Sequence, residues 1–242
     1  MRILAIDAGN SRIKWGWFDG GRWAEQSWIA SAEAANFGAA LAAPSPPSKI
    51  VISNVAGGAV RELIGAALEQ FPVAPQWIGS EARQCGVTSG YRDPAQLGSD
   101  RWAALIGAWH LFRGPCVVVN AGTTMTVDAL SDEGVFVGGF IVPGPELMRE
   151  SLARNTAQLR LQDGRFMYFP DSTADAIVSG AINALAGAVE RMQRYMEETG
   201  QIAPVVVLSG GAAPLLVPQL NARAEVVDNL VLEGLLRIAL DG

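Results

Sequence analysis

The chain has 242 residues, half of them apolar and 17% charged, with a formal net charge of −6. That is the composition of a folded chain, long enough for one large domain or two of about 120 residues, and its acidity argues against a nucleic-acid footprint. No run reaches the ~18–20 apolar residues of a membrane helix, and "MRILAIDAG" turns polar at Asp7, too early for a secretory core, so a cytoplasmic protein is expected.

"RILAID" is a short apolar run rich in strand formers and ended by Ala-Gly. "RIKWGWF" alternates, and "DGG" turns it back into "RWAEQSWIA", so three antiparallel strands open the chain. A helix is expected over 31–43, with Ser31 as N-cap, stopped by "APSPPS". Strand "KIVISNV", helix "AVRELIGAALEQF" and strand "PQWIG" follow. A loop with Gly90 and Pro94 then leads into the helix of "LGSDRWAALIGAWHLF".

After "RGP" the pattern restarts. "CVVVNAG", "TMTVDAL" and "GVFVGGFIV" read as three strands, with "SDEG" turning between the last two. "GPELMRESLARN" is helical, and a long helix over 174–198 has its apolar residues at helical spacing up to Gly200. "PVVVLSGG" is a buried strand, and "EVVD" precedes the terminal helix "NLVLEGLLRIAL". The two halves therefore predict a duplicated α/β fold, 1–114 and 115–242, with a cleft between them.

Both halves carry the same phrase: "LAIDAGNS" in the first, "VVVNAGTT" in the second. A glycine at such a tip lets backbone N–H groups approach an anion, and Asn10, Ser11, Thr123 and Thr124 add donors for phosphate oxygens. Asp7 would repel a phosphate unless a cation intervened, which suggests Mg²⁺ held through water. Lys14, in the next strand, is placed to reach a terminal phosphate. "LSGGAA" adds Gly210 and Gly211 before a helix, suited to packing a flat ring or aiming a helix N-terminus at phosphate. Each signal taken alone also fits an ordinary turn; together they describe a nucleotide clamped between two domains, the general plan of actin-like ATPases.

A kinase of this plan needs a group to deprotonate the acceptor hydroxyl, and "GYRDPAQLGSDRWAAL" offers one. Ser99 or Asp100 is placed to cap a helix, worth ~0.3–1 kcal/mol. Asp100 is equally placed to be a general base, with Arg101 binding a carboxylate or phosphate. Spacing alone leaves both open.

The segments "DAGNSRIKW", "YRDPAQLGSDRWAAL", "NAGTTMTVD", "GGFIVPGPELM", "LARNTAQL", "STADAIVSGAINAL", "VVLSGGAA" and "NLVLEGLL" closely resemble type III pantothenate kinases, in order from residue 3 to about residue 238. The resemblance implies a duplicated ribonuclease-H-like (actin-like ATPase) fold, a homodimer with sites near the subunit interface, and ATP-dependent phosphorylation of pantothenate to 4′-phosphopantothenate, the first committed step toward coenzyme A. By position it makes Asp7, Ala8, Gly9, Asn10, Ser11, Arg12, Ile13 and Lys14 the first phosphate loop and Asp100 the proton acceptor. It places Tyr91, Gly98, Ser99, Arg101 and Thr173 on pantothenate, with Arg101 on its carboxylate, and Thr123 on ATP beside Thr124. One departure stands out. The family usually has Asp, helping to hold an activating K⁺ or NH₄⁺, where this chain has Asn120, so a weakened or absent K⁺ dependence is expected.

Two other readings stay open: a nucleotide-binding regulatory accessory protein with little turnover, and an actin-like kinase for another small hydroxylated substrate. His110, the sole histidine, sits in an apolar helix and reads as structural. Cys85 and Cys116 fit no metal spacing and read as reduced. Trp102 and Trp109 share a helix face that reads as core or dimer interface. The segment 157–171 has no clear periodicity.

Overall fold

The opening apolar run becomes β1 (Ile3–Ala8), buried on both faces. Leu4, Ile6 and Ala8 pack with Trp15, Trp17 and Phe37, while Ile3 and Ala5 take the other face, as strand alternation requires. β2 (Arg12–Asp19) and β3 (Arg22–Ala30) follow antiparallel, joined through Gly20 and Gly21 at positive φ. β4 (Lys49–Asn54) runs parallel to β1 and β5 (Pro75–Trp77) parallel to β4, so the order is β3-β2-β1-β4-β5. This computed structural model describes residues 1–41, 45–156, 159 and 161–241.

Two local expectations are corrected here. The helix expected from Ser31 is a 3₁₀ turn, Ser31–Asn36, followed by one α-helical turn, α1 (Phe37–Ala40); residues 42–44 of that stretch lie outside the described residues. Ser31 caps nothing: its Oγ donates to the Gly9 carbonyl at 2.7 Å, binding the first turn to the end of β3. After α2 (Gly58–Leu68), the stretch read as loop contains a small hairpin, β6 (Arg83–Gln84) and β7 (Val87–Ser89), turned by Cys85 and Gly86 at positive φ. α3 (Ser99–Phe112) is buried almost all round from Arg101 to Ala108, which marks a core helix. Trp102 is fully buried and donates to Gln84 Oε1 at 2.9 Å.

Residues Arg113–Asp228 form a second unit. Its antiparallel strands β8 (Cys116–Ala121), β9 (Thr124–Leu130) and β10 (Val135–Pro143) are followed by α4 (Pro145–Asn155) and α5 (Thr173–Glu198). β11 (Val205–Ser209) runs parallel to β8, then come α6 (Ala213–Leu216) and β12 (Ala224–Val226), parallel to β11. The order β10-β9-β8-β11-β12 repeats that of the first unit strand for strand, so the duplication written in the two turns extends to the sheets. α5 covers the core with Ile182, Leu185, Val189 and Met196 against Val117 and Val119 of β8.

The terminal helix α7 (Leu230–Asp241) belongs to the first unit, which comprises Met1–Phe112 and Asn229–Gly242; the division expected from the sequence, 115–242, puts it in the second. Its packing explains the return. A Cβ on Gly234 would overlap the Ala103 carbonyl oxygen, and one on Gly107 would come within 2.7 Å of the Leu230 carbonyl oxygen, so α3 and α7 touch backbone to backbone. Lys49 Nζ also donates to the Ala239 carbonyl at 2.7 Å, a cation at the helix C-terminus. Gly234→Ala is therefore expected to destabilise the protein by about 3 kcal/mol or more, although the same change in a free helix would stabilise by ~1 kcal/mol. A urea unfolding midpoint that holds or rises in the variant would contradict this contact.

Candidate functional site

The first turn is built by backbone bonds that leave its tip exposed. Gly9 N donates to the Arg12 carbonyl at 3.0 Å and Ser31 N to the Ser11 carbonyl at 3.0 Å, while Asn10 and Ser11 are exposed. Ala8 and Ile13 are fully buried in the apolar cluster, so of these two only backbone is available to a ligand. Arg12 stacks its guanidinium 4.2 Å from the centre of the Trp28 ring.

Asp7 lies in register with Lys14 on β2 and with Ser53 on β4, which puts the three on one sheet face. Asp7 Oδ1 is buried with no hydrogen-bond partner. Burial, then the nearby Asp100 carboxylate, raise its pKa to about 7, with Lys14 opposing them. An orphaned carboxylate oxygen beside a phosphate-type turn fits a hard cation. Among the described residues no three His, Cys, Asp or Glu gather to cage a metal, so a cation at Asp7 would keep water ligands, as Mg²⁺ does.

Asp100 stands in the first turn of α3. Its Oδ1 accepts from the Arg101 N–H at 2.8 Å, so the carboxylate does serve the helix end, with one of its oxygens. Burial raises its pKa, opposed by that N–H and by the Arg101 charge. A Cβ on Gly98 would sit 2.7 Å from Asp100 Oδ1, so a larger residue there would push the carboxylate from its place. Arg101 is 5% exposed and donates from Nη1 to Tyr91 Oη at 3.3 Å. Ser99 Oγ lies 2.8 Å from Ser53 Oγ, a buried pair with no signal in the motifs. The first unit thus brings together Asp7, Lys14, Tyr91, Gly98, Ser99, Asp100 and Arg101.

Thr173 belongs to the second unit, as the first residue of α5 after the cap Ser172, whose Oγ accepts from Asp175 N at 3.1 Å. It lines a largely apolar cavity of about 600 Å³ with Pro143, Met148, Leu152 and Ile177. In the second turn Thr123 and Thr124 are exposed, and Gly144 N donates to the Thr123 carbonyl at 2.8 Å. A Cβ on Gly144, in the segment "GGFIVPGPELM", would overlap the Gly122 carbonyl oxygen, a partner the segment does not reveal. Gly210 (φ +101°) serves a similar close approach, since a Cβ there would lie 2.5 Å from the Ala121 carbonyl oxygen. That approach explains its place, while Gly211 faces open space and the helix behind it, α6, has one turn. Asn120 occupies the place of Asp7 in the repeat, in register with Thr126 and Ser209, so the row that is charged in the first unit is neutral here.

The type III pantothenate kinase family profile matches residues 3–195. A type III pantothenate kinase of Nitrosospira multiformis is 50% identical over 237 residues, spanning 98% of this chain and 90% of the relative. The chain belongs to the type III pantothenate kinase family. Solved structures agree on the fold. Component A of the (R)-2-hydroxyglutaryl-CoA dehydratase of Acidaminococcus fermentans superposes with a TM-score of 0.54 at 12% identity, covering 99% of this chain and 96% of that one. The ROK hexokinase of Thermus thermophilus does so with a TM-score of 0.50 at 14% identity, covering 99% of both. The fold is the duplicated actin-like one, and among the described residues no helix is long and apolar enough to cross a membrane. Within a pantothenate kinase fold of this kind, the repeated turns fall at the ends of β1 and β8, the central strand of each unit.

Proposed function

We propose that the protein phosphorylates pantothenate from ATP to give 4′-phosphopantothenate, at a site in which Asp100 is the base and the Asp7–Lys14 turn the first phosphate loop. The observation that carries this reading is the pair of neighbouring half-buried carboxylates, Asp7 and Asp100, with raised pKa values and different partners. Asp7 has a buried oxygen without a partner, for a water-held cation; Asp100 accepts the Arg101 N–H at Oδ1, and burial raises its pKa, so the carboxylate is disposed to take up a proton. Bound Mg²⁺ would supply neutralisation of phosphate charge.

Asp100 takes the proton of pantothenate's primary hydroxyl as that oxygen bonds to the γ-phosphorus and the bond to the β-phosphate oxygen breaks, releasing ADP. Arg101, with Tyr91 holding its guanidinium, pairs with the pantothenate carboxylate, and Gly98, Ser99 and Thr173 complete the substrate set. Thr123 and Thr124, with Gly210 and Gly211, are assigned to ATP. The rate comes from positioning and charge neutralisation, with no covalent intermediate. A homodimer in the cytoplasm completes the proposal, and sedimentation would read the dimer.

The test is ADP release by the purified protein with Mg²⁺-ATP, with and without pantothenate. Pantothenate-dependent turnover supports the reading; ATP binding without turnover under any cation moves it to a regulatory role, and turnover with a different hydroxylated acceptor moves it to another kinase. The same assay is expected to show at most a several-fold response to K⁺ or NH₄⁺, because Asn120 supplies a carbonyl oxygen without a negative charge. A rate that climbs from near zero with either ion defeats that expectation.

A further inference from the structure

We infer that Ser53 is a positioning residue for this reaction: through its hydroxyl bond to Ser99 it fixes the first turn of α3, and so the Asp100 carboxylate, against the sheet face that carries Asp7. This deepens the kinase reading and rests on it.

Ser53 is the fifth residue of the strand "KIVISN" and is fully buried. An apolar side chain would be the expected occupant of that place, since Ile50, Val51 and Ile52 before it are all apolar and buried. Its Oγ lies 2.8 Å from Ser99 Oγ, and Ser99 is itself 8% exposed. A buried hydroxyl pair is retained only where each satisfies the other, so removing one strands its partner. The bond joins two elements that the rest of the site needs in a fixed relation. Ser53 is the in-register neighbour of Asp7 across the parallel β1–β4 ladder, and Ser99 opens the helix whose next residue is Asp100.

Two other side-chain bonds reach this turn, Arg101 Nη1 to Tyr91 Oη and Trp102 Nε1 to Gln84 Oε1, but neither partner lies on β4 or β1. Gly98 leaves Asp100 room but gives the turn no stiffness, and the first helical bond, Trp102 N to the Gly98 carbonyl at 3.0 Å, is internal to the turn. The α3–α7 contact through Gly107 and Gly234 fixes the middle of the helix, not its start. The repeat writes the same residue again: Ser209 ends β11 in register with Asn120, as Ser53 stands in register with Asp7.

The test uses Ser53→Ala, Ser99→Ala and Ser53→Thr in the full-length protein, with two readouts. Hydrogen exchange of the amides at Asp100–Ala103 is expected to quicken by about 10-fold or more in Ser53→Ala and equally in Ser99→Ala, with the β4 amides unchanged. In the kinase assay Ser53→Ala is expected to lose about 10–100-fold in kcat at an ATP KM within about twofold of wild type, because misplacement of the base touches the chemical step and not nucleotide binding. Ser53→Thr, which keeps the hydroxyl, is expected to recover most of both. Unchanged exchange at 100–103, or a kcat loss matched by a rise in ATP KM, overturns the inference. Should wild type show no pantothenate turnover, the kinase reading falls while the exchange comparison still decides whether Ser53 holds the helix end. If Ser53→Thr is too crowded to fold, equal exchange gains in the two alanine variants carry the decision.

Discussion

Asp100→Asn is expected to lower kcat by about three orders of magnitude or more while leaving ATP affinity nearly unchanged. The amide keeps the shape of the carboxylate and its bond from the Arg101 N–H, so the start of α3 should survive the change. It cannot accept a proton, and general-base catalysis contributes typically ~10²–10⁴-fold. The variant also removes a negative charge that presses on Asp7, so the Asp7 pKa is expected to fall. Nucleotide binding should therefore hold or tighten slightly, which isothermal titration would read directly. A loss of ATP binding comparable to the loss of rate would give Asp100 a structural or nucleotide role. The wild-type rate should carry an acid limb above the ordinary carboxylate range, because burial raises the Asp100 pKa and the base works only when ionised. In Asp100→Asn that limb should vanish from any residual rate.

How much of this was legible in the sequence follows from which interactions are local. The repeated Asp/Asn-Ala-Gly turns, the alternating strands and the long amphipathic α5 are short-range patterns, and the structure follows them closely. The strand order itself was not read from the sequence; only its repetition in the second unit follows from the duplication. Asp100 was legible as a candidate but ambiguous, since a helix-end carboxylate and a base look alike in one dimension; the structure shows the helix-end bond, and the base is what the proposed reaction adds. Ser31 misled for a related reason: a serine before a helical stretch signals a cap, yet its hydroxyl found the Gly9 carbonyl across the sheet. The return of α7 to the first unit rests on Gly107 meeting Gly234, and a glycine inside a helical pattern flags close packing without naming its partner. Gly144 and Gly210 are the same case, since the backbones they admit, at Gly122 and Ala121, lie far off in sequence. The β6–β7 hairpin escaped because its strands are two and three residues long, below any periodicity. Ser53 escaped because a lone serine in an apolar strand has no pattern at all until its partner is seen. Residues 157, 158 and 160 of the aperiodic segment lie outside the described residues. What the described part shows is that Arg165 N donates to Asp175 and Met167 N to Ser179, which ties 165–167 to the first turns of α5.

Asp7→Asn is expected to make the ligand-free protein more stable at alkaline pH and to abolish Mg²⁺-ATP binding. The sign follows from linkage. The folded-state pKa of Asp7 is raised from 3.8 to about 7, so the fold favours the protonated acid. Between those values the folded state binds more protons than the unfolded one, and stability declines as pH rises. The favourable term is fully present below the unfolded pKa and is lost once pH passes about 7. At ~1.36 kcal/mol per pKa unit the decline amounts to a few kcal/mol. Asparagine cannot ionise, so the variant should escape the decline. Urea midpoints of wild type and Asp7→Asn should nearly coincide near pH 4 and diverge in the variant's favour by pH 8; parallel curves would place Asp7 in a site more hydrated than its orphaned Oδ1 indicates. Mg²⁺-ATP should then raise the wild-type midpoint at pH 8 and leave that of Asp7→Asn in place. On the proposed reading the carboxylate that weakens the fold is also the one that would hold the cation, so the destabilisation would be what the first turn carries in order to bind a charged ligand. A variant that gained stability and still bound Mg²⁺-ATP with undiminished affinity would separate the two roles and remove Asp7 from the metal site.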